Sequence, residues 1–182
     1  MADFHTPHNF SFWGLWNLPR LESASRWLRL PFGGWQSTGI WSWRSGTPFN
    51  MTSGQDRSLS GIGLDRADLI GDPFISGNRP RDQVINQYFN TKAVVLNAPG
   101  TFGDVPRNLI RGLAFFNVDW SLQKTFAASE RFRFDLRGDS FNLFNNVHLN
   151  APGSSVSNTT TFGKITTAGD PRILQLAVRV HF

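Results

Sequence analysis

Two short stretches hold the side chains most able to do chemistry. Near the start, Asp3, His5 and His8 stand close together in "MADFHTPHNF", with His148 and His181 far downstream. Carboxylate and imidazole are the ordinary ligands of zinc, but this spacing matches no zinc signature. The expectation is a solvated loop and no metal. The second stretch, "SLSGIGLDRADLIGDP", carries Asp65, Asp68 and Asp72, with Asp170 further on in "AGDPR". No Gly-Lys-Ser follows the G-x-G, so it is not a phosphate-binding loop, and the acidic spacing is not that of an EF-hand. An exposed, turn-rich loop is expected there.

Catalytic constellations are lacking as well. No Ser, His and Asp set has a nucleophile-elbow context. The chain has no cysteine, which removes disulfides, thiolate metal sites and cysteine nucleophiles. Asp135 and Asp139 alternate with Arg133 and Arg137 in "RFRFDLRGD", an arrangement suited to ion pairs on one surface rather than to an acid and a base. Neither enzymatic activity nor a cofactor is expected.

The elements that would position these residues are strands. In "AFFNVDWSLQKTF", 114–126, Phe116, Val118, Trp120, Leu122 and Phe126 face one way, and Asn117, Asp119, Ser121, Gln123 and Thr125 the other. In "RFRFDLRGDSFNLF", 131–144, Phe132, Phe134 and Leu136 oppose Arg131, Arg133, Asp135, Arg137 and Asp139. The last stretch, 173–182, sets Leu174, Leu176, Val178, Val180 and Phe182 against Gln175, Ala177, Arg179 and His181. Two earlier segments, 8–19 and 34–46, alternate nearly as well. Phe10, Phe12, Trp16 and Leu18 are in phase in the first, and Trp35, Gly39, Trp41 and Trp43 in the second.

The connections differ in kind. Only "AASE" separates the third and fourth segments, and "LESASRWLRL" between the first two suits a short helical turn. By contrast 47–113, rich in Gly, Pro, Asn and Asp, and 145–172 are long and suggest function or disorder. Short turns at one end and long loops at the other are the habit of up-and-down barrels in outer membranes. Strands tilted by about 45° need roughly 9–11 residues to cross the hydrocarbon. The expected fold is therefore all-β: about five antiparallel transmembrane strands, an incomplete barrel, with long extracellular loops. The apolar set, Phe116, Val118, Trp120, Leu122, Phe126, Phe132, Phe134 and Leu136, would meet lipid. Arg133, Asp135, Arg137, Asp139 and Arg179 would face the lumen.

Parity restricts the register. Paired residues share a face, so Phe126 and Phe132 require an odd loop, most simply 128–130. That register pairs Thr125 with Arg133, Gln123 with Asp135, Ser121 with Arg137 and Trp120 with Gly138. Lys124 is the one charge on the apolar face and would snorkel to the interface beside the turn.

Composition agrees with this reading. Aromatic residues make up 14%, with 7 Trp and 17 Phe, which excludes a disordered chain. The net charge of +5 is scattered singly, without the basic stripe of a nucleic-acid binder. No apolar run is long enough for a transmembrane helix. The N-terminus lacks a charged n-region and an apolar h-region, so no signal peptide is expected in this chain. A soluble carbohydrate-binding module is the alternative, with Trp13, Trp35, Trp41 and Trp43 stacking on sugars.

Four phrases carry a resemblance: "GGWQSTGIWSWRSGTPFN", "VPRNLIRGLAFFNVDWSLQKTF", "RFRFDLRGDSFNLFNNVHLN" and "FGKITTAGDPRILQLAVRVHF". Together they resemble the C-terminal strands of TonB-dependent outer-membrane receptors, the Oar-like subgroup in particular, from about His8 onward. The resemblance implies residence in the cell outer membrane and a barrel of about 22 strands around a plug. The remainder of that barrel and the plug are not in this chain, which would be a fragment not competent for transport alone. It also implies loops that contact an unnamed cargo. Leu174, Leu176, Val178, Val180 and Phe182 would then be the signal read by the barrel-assembly machinery.

Overall fold

The computed structural model describes residues 2–61, 63–127, 129 and 131–182. Two compact units emerge, each discontinuous in sequence. The sheet unit gathers Asn9–Arg44, Phe115–Val147 and Asp170–Phe182, and the loop unit gathers Met1–His8, Ser45–Ala114 and His148–Gly169.

In chain order the elements are β1 (Asn9–Asn17), α1 (Arg26–Phe32), β2 (Gln36–Arg44), β3 (Pro48–Phe49), β4 (Asp68–Leu69), α2 (Arg81–Asn86), β5 (Val94–Val95), β6 (Ile110–Arg111), β7 (Phe115–Ala127), β8 (Arg133–Phe141) and β9 (Ile173–His181). The sheet unit is one five-stranded antiparallel sheet in the order β1-β2-β7-β8-β9. Every register preserves the alternation read from the sequence. Phe12 lies across from Trp41, and Trp41 across from Val118. Lys124 lies across from Leu136, and Leu136 across from Val178. Since paired residues share a face, the five apolar sets merge into one surface.

Within that alternation the β7–β8 register differs from expectation by two residues. Thr125 pairs with Asp135, Gln123 with Arg137, Ser121 with Asp139, Leu122 with Gly138 and Trp120 with Ser140. The last ladder pair is Ala127 with Arg133, so Phe132 belongs to the connection. The physical reason is local. Ser129 donates its N–H to the Phe132 carbonyl at 3.2 Å, and its Oγ accepts the Phe132 N–H at 3.1 Å. Those bonds take Phe132 out of the ladder. A shift of two leaves every side chain on its face, which parity alone cannot detect. Ala128 and Glu130, the ends of the expected three-residue loop, lie outside the described residues.

Gly14 of β1 stands directly across from Gly39 of β2. A Cβ at Gly39 would lie 2.5 Å from the Trp41 ring, which covers the bare backbone there. Beyond β1, α1 carries Pro31 inside its last turn, where the missing N–H leaves one rung of the helix unmade. The Gly33 N–H closes the helix on the Arg29 carbonyl at 3.0 Å. Gly33 is required, since a Cβ there would sit 2.4 Å from the Arg20 carbonyl oxygen.

The long stretches, expected to be functional loops or disordered, fold into a body with its own core. Met51, Ala67, Phe89, Ala93, Val94, Val105 and Ile110 are buried, with Phe49, Leu69, Tyr88, Leu109, Val156 and Phe162 packed against them. Backbone bonds knit the segments together: Ala67 to Met51, Val105 to Ala67, and Val156 to Thr52. The two loops thus satisfy each other's polar backbone, as burial demands.

Asp65 is buried, contrary to the exposed loop expected for it. Its carboxylate accepts the Ser58 N–H at 2.6 Å and the Ser58 hydroxyl at 3.0 Å. The Ser58 backbone bond holds the carboxyl below the usual aspartate range. A depressed folded pKa contributes stability that is complete above the unfolded value of about 3.9 and is lost as pH falls through the folded one. The Ser58 amide resonance should therefore hold its position until the pH is below that of ordinary aspartates. Titration already complete above pH 4 would contradict this, and Asp65→Asn should remove the acid step.

Candidate functional site

The apolar face is built from alternate residues of all five long strands. Phe10, Phe12 and Trp16 come from β1, Trp41 and Trp43 from β2, and Phe116, Val118, Trp120, Leu122 and Phe126 from β7. Phe134 and Leu136 of β8, then Leu174, Leu176, Val178 and Val180 of β9, continue it. Phe182 follows the last ladder pair and is 95% exposed. Large apolar side chains lie open on it, among them Phe116, Phe134, Leu174, Leu176 and Val178. Phe132 is exposed as well but stands outside the strands. Trp120, Leu122, Phe126 and Leu136 are half-buried. Gly138 leaves a trough of about 430 Å³ bordered by Trp120, Leu122, Leu136, Leu174 and Leu176.

Two residues depart from their expected places on this face. Val118 is only 1% exposed and so is not open to lipid. It is a short side chain directly across from Trp41 and between the larger Phe116 and Trp120 on its own strand. Lys124 does not snorkel outward; it is 8% exposed. Its ammonium donates to the Leu30 carbonyl and to the Arg29 carbonyl at 3.5 Å. It also sits over the Phe126 ring at 4.8 Å and the Trp35 ring at 5.7 Å. Carbonyls from the last turn of α1 and two aromatic faces compensate the charge. Beside it, the Trp35 indole donates to the Pro31 carbonyl at 2.7 Å. The α1 contacts were not legible in the sequence, because they depend on how the β1–β2 connection folds back.

Where β7, β8 and β9 meet, the opposite face is polar and bonded along and across strands, whereas Trp13, Leu15 and Ile40 stand on the same side of β1 and β2. Asp135 accepts from the Thr125 hydroxyl at 2.7 Å and meets His181 Nε2 at 2.7 Å. Arg137 Nε reaches Asp139 at 2.9 Å within β8. Arg133 and Arg179 are exposed on the same face. Further along, the Asp119 carboxylate accepts from Asn117 Nδ2 and from the Asn142 N–H, both at 2.9 Å. Asn142 in turn binds Asn146 through both amide atoms at 2.8 Å. The sequence placed Thr125, His181, Asn117 and Asp119 on the polar side, but not their bonds to Asp135 and Asn142, nor the Asn142–Asn146 pair. The left-handed backbone at Asn142 and Asn145, favoured for asparagine, was the available signal in "FNLFNN".

The aromatic platform of a sugar-binding module does not assemble on one surface. Trp35, Trp41 and Trp43 share the apolar face, whereas Trp13 pairs with Ile40 on the other. In the loop unit, Asp3 bonds Arg107 and Asn108, each at 2.8 Å, and His5 Nδ1 meets the Arg111 guanidinium at 2.7 Å. These side chains tie down the N-terminal segment. Among the described residues no group of three His, Asp or Glu could hold a metal ion.

No helix among the described residues is long and apolar enough to cross a membrane. A family model described as an outer membrane beta barrel domain matches residues 1–175. No curated protein and no solved structure matches the chain.

Proposed function

The chain belongs to the family of outer membrane beta barrel domains, and from that premise we propose that it forms wall and cargo-contacting loops of a TonB-dependent receptor-like transporter of the Oar-like kind. One observation carries the reading. A single antiparallel sheet presents one mainly apolar face, and the chain leaves its strands by long connections at one end and by short ones at the other. Apolar residues outward, ionic residues inward and long loops on one side are what a lipid-embedded wall with an aqueous interior requires.

The sheet is open, since β1 and β9 each have one neighbour. In hydrocarbon each unpaired backbone group costs several kcal/mol. The working wall is therefore completed by further strands, and in this reading a plug fills the lumen. The loop body, packed around Phe89 and Met51, offers cargo a preformed surface rather than a set of loose segments. Phe182 and the alternate residues of β9 act as the label for the assembly machinery.

Two measurements test the proposal. The barrel completed with its plug should capture the periplasmic domain of TonB; a completed receptor that folds in the membrane yet never binds TonB removes the receptor role. Deleting Phe182 should lower the heat-modifiable, surface-exposed form several-fold, and unchanged assembly would remove the labelling role.

A further inference from the structure

The helix α1 has no buried residue. Trp27, Leu28, Leu30 and Phe32 are 85%, 53%, 45% and 64% exposed. Around them stand Arg20, Arg26 and Arg29, with Glu22 as the only acid in 18–34. A short helix in water with four bare apolar side chains has nothing to offset its ordering. Yet its last turn is fixed, because Lys124 and Trp35 bind the carbonyls of Leu30 and Pro31. Both belong to the apolar face, through the pairing of Lys124 with Leu136 and the Leu18 N–H bond to the Trp35 carbonyl. The helix hangs at the end of the sheet that also carries Phe126, Phe132 and Phe182.

We propose that α1 and its arginines form a seat for anionic phospholipid at the periplasmic leaflet. Trp27, Leu28, Leu30 and Phe32 enter the boundary between head groups and acyl chains, and Arg20, Arg26 and Arg29 meet the phosphates. The proposal rests on the reading that the apolar face meets hydrocarbon. Two features select lipid as the occupant. The apolar patch continues the membrane face, and its charge complements an anionic surface. Tryptophan and arginine at the edge of an apolar band are the usual composition of such a boundary. Lys124 links the two parts. Its ammonium is held by backbone carbonyls, which fixes the helix against the wall instead of leaving it on a free tether.

The test uses the full chain, whose lack of cysteine permits single-site labelling. Ser25 makes no side-chain capping bond, so Ser25→Cys is a mild change. Phe134→Cys reports the sheet face. Each variant carries an environment-sensitive fluorophore and is placed in phosphatidylcholine bilayers with or without phosphatidylglycerol, with brominated acyl chains as quencher. The expected result is quenching at 134 in both bilayers. Quenching at 25 should be stronger with phosphatidylglycerol. Combining R26Q with R29Q should lower the docked-to-undocked ratio at 25 in anionic bilayers by roughly thirtyfold. Quenching at 134 with silence at 25 in every bilayer overturns the seat and leaves the membrane face standing. Silence at both positions overturns both. Quenching at 25 that ignores phosphatidylglycerol and the arginine changes overturns the anionic preference. Cross-linking of position 25 to a second copy, in place of quenching, assigns the helix to self-association and overturns the proposal.

Discussion

Phe89→Ala should loosen the loop body while leaving the sheet unit unchanged, at a cost of about 3–5 kcal/mol. Phe89 is 1% exposed and sits among Met51, Ala93 and Ile110 in the core of that body. Its ring meets Phe162 edge-on at 5.2 Å between centroids, and Phe49 at 6.2 Å. Phe162 comes from the second long insertion and Phe49 from the first, so the ring joins the two segments. Truncation leaves a cavity that rigid turns on both sides cannot close, and removes both aromatic contacts. Hydrogen exchange read by peptide supplies the measurement. Faster exchange confined to 45–114 and 148–169 is expected. Exchange unchanged throughout would mean that this core does not hold the body together. Phe89→Leu keeps most of the volume and should cost much less.

The second large effect separates the two faces by a single step along β9. Leu176→Arg places a charge on the apolar face, opposite Gly138, near the middle of the strand. Ala177→Arg places the same charge on the polar face, opposite Arg137. An arginine turned to lipid near the bilayer midplane costs roughly 2–4 kcal/mol, whereas lumen substitutions act mainly on selectivity. Unfolding from bilayers by urea should show that difference between the variants. Ala177→Arg carries a small penalty from its arginine neighbour, reduced by water and salt in the lumen. Equal costs, or the larger cost at 177, would reverse the assignment of the faces.

The strands and their faces were readable because a period of two survives any neighbour arrangement. Phe116, Trp120, Phe134 and Val178 lie on one surface as their spacing demands. The pairing partner was not readable. Moving β8 by two residues changes the partner of Thr125 from Arg133 to Asp135 without turning any side chain over, and hydrogen bonds from Ser129 settle it. Nor was the second core visible. Met51, Phe89, Val105 and Phe162 are isolated apolar residues in Gly- and Asp-rich sequence, far apart and without a period. They meet because backbone segments lie side by side, as Ala67 does between Met51 and Val105. Lys124 shows the same limit. Its position beside a turn suggested an exposed ammonium, while its partners lie on a helix almost a hundred positions earlier.

The facing pair Gly14 and Gly39 bears on the mechanics of the wall. Two adjacent strands without Cβ atoms at the same level make a crease, because bending there compresses no side chains against one another. The Trp41 ring lies over Gly39 and the Phe12 ring over Gly14, like cover plates on an expansion joint, so the space the missing side chains leave is filled. A five-stranded plate with such a fold line near one margin can be rolled, so its free borders can be brought toward the strands that complete the cylinder.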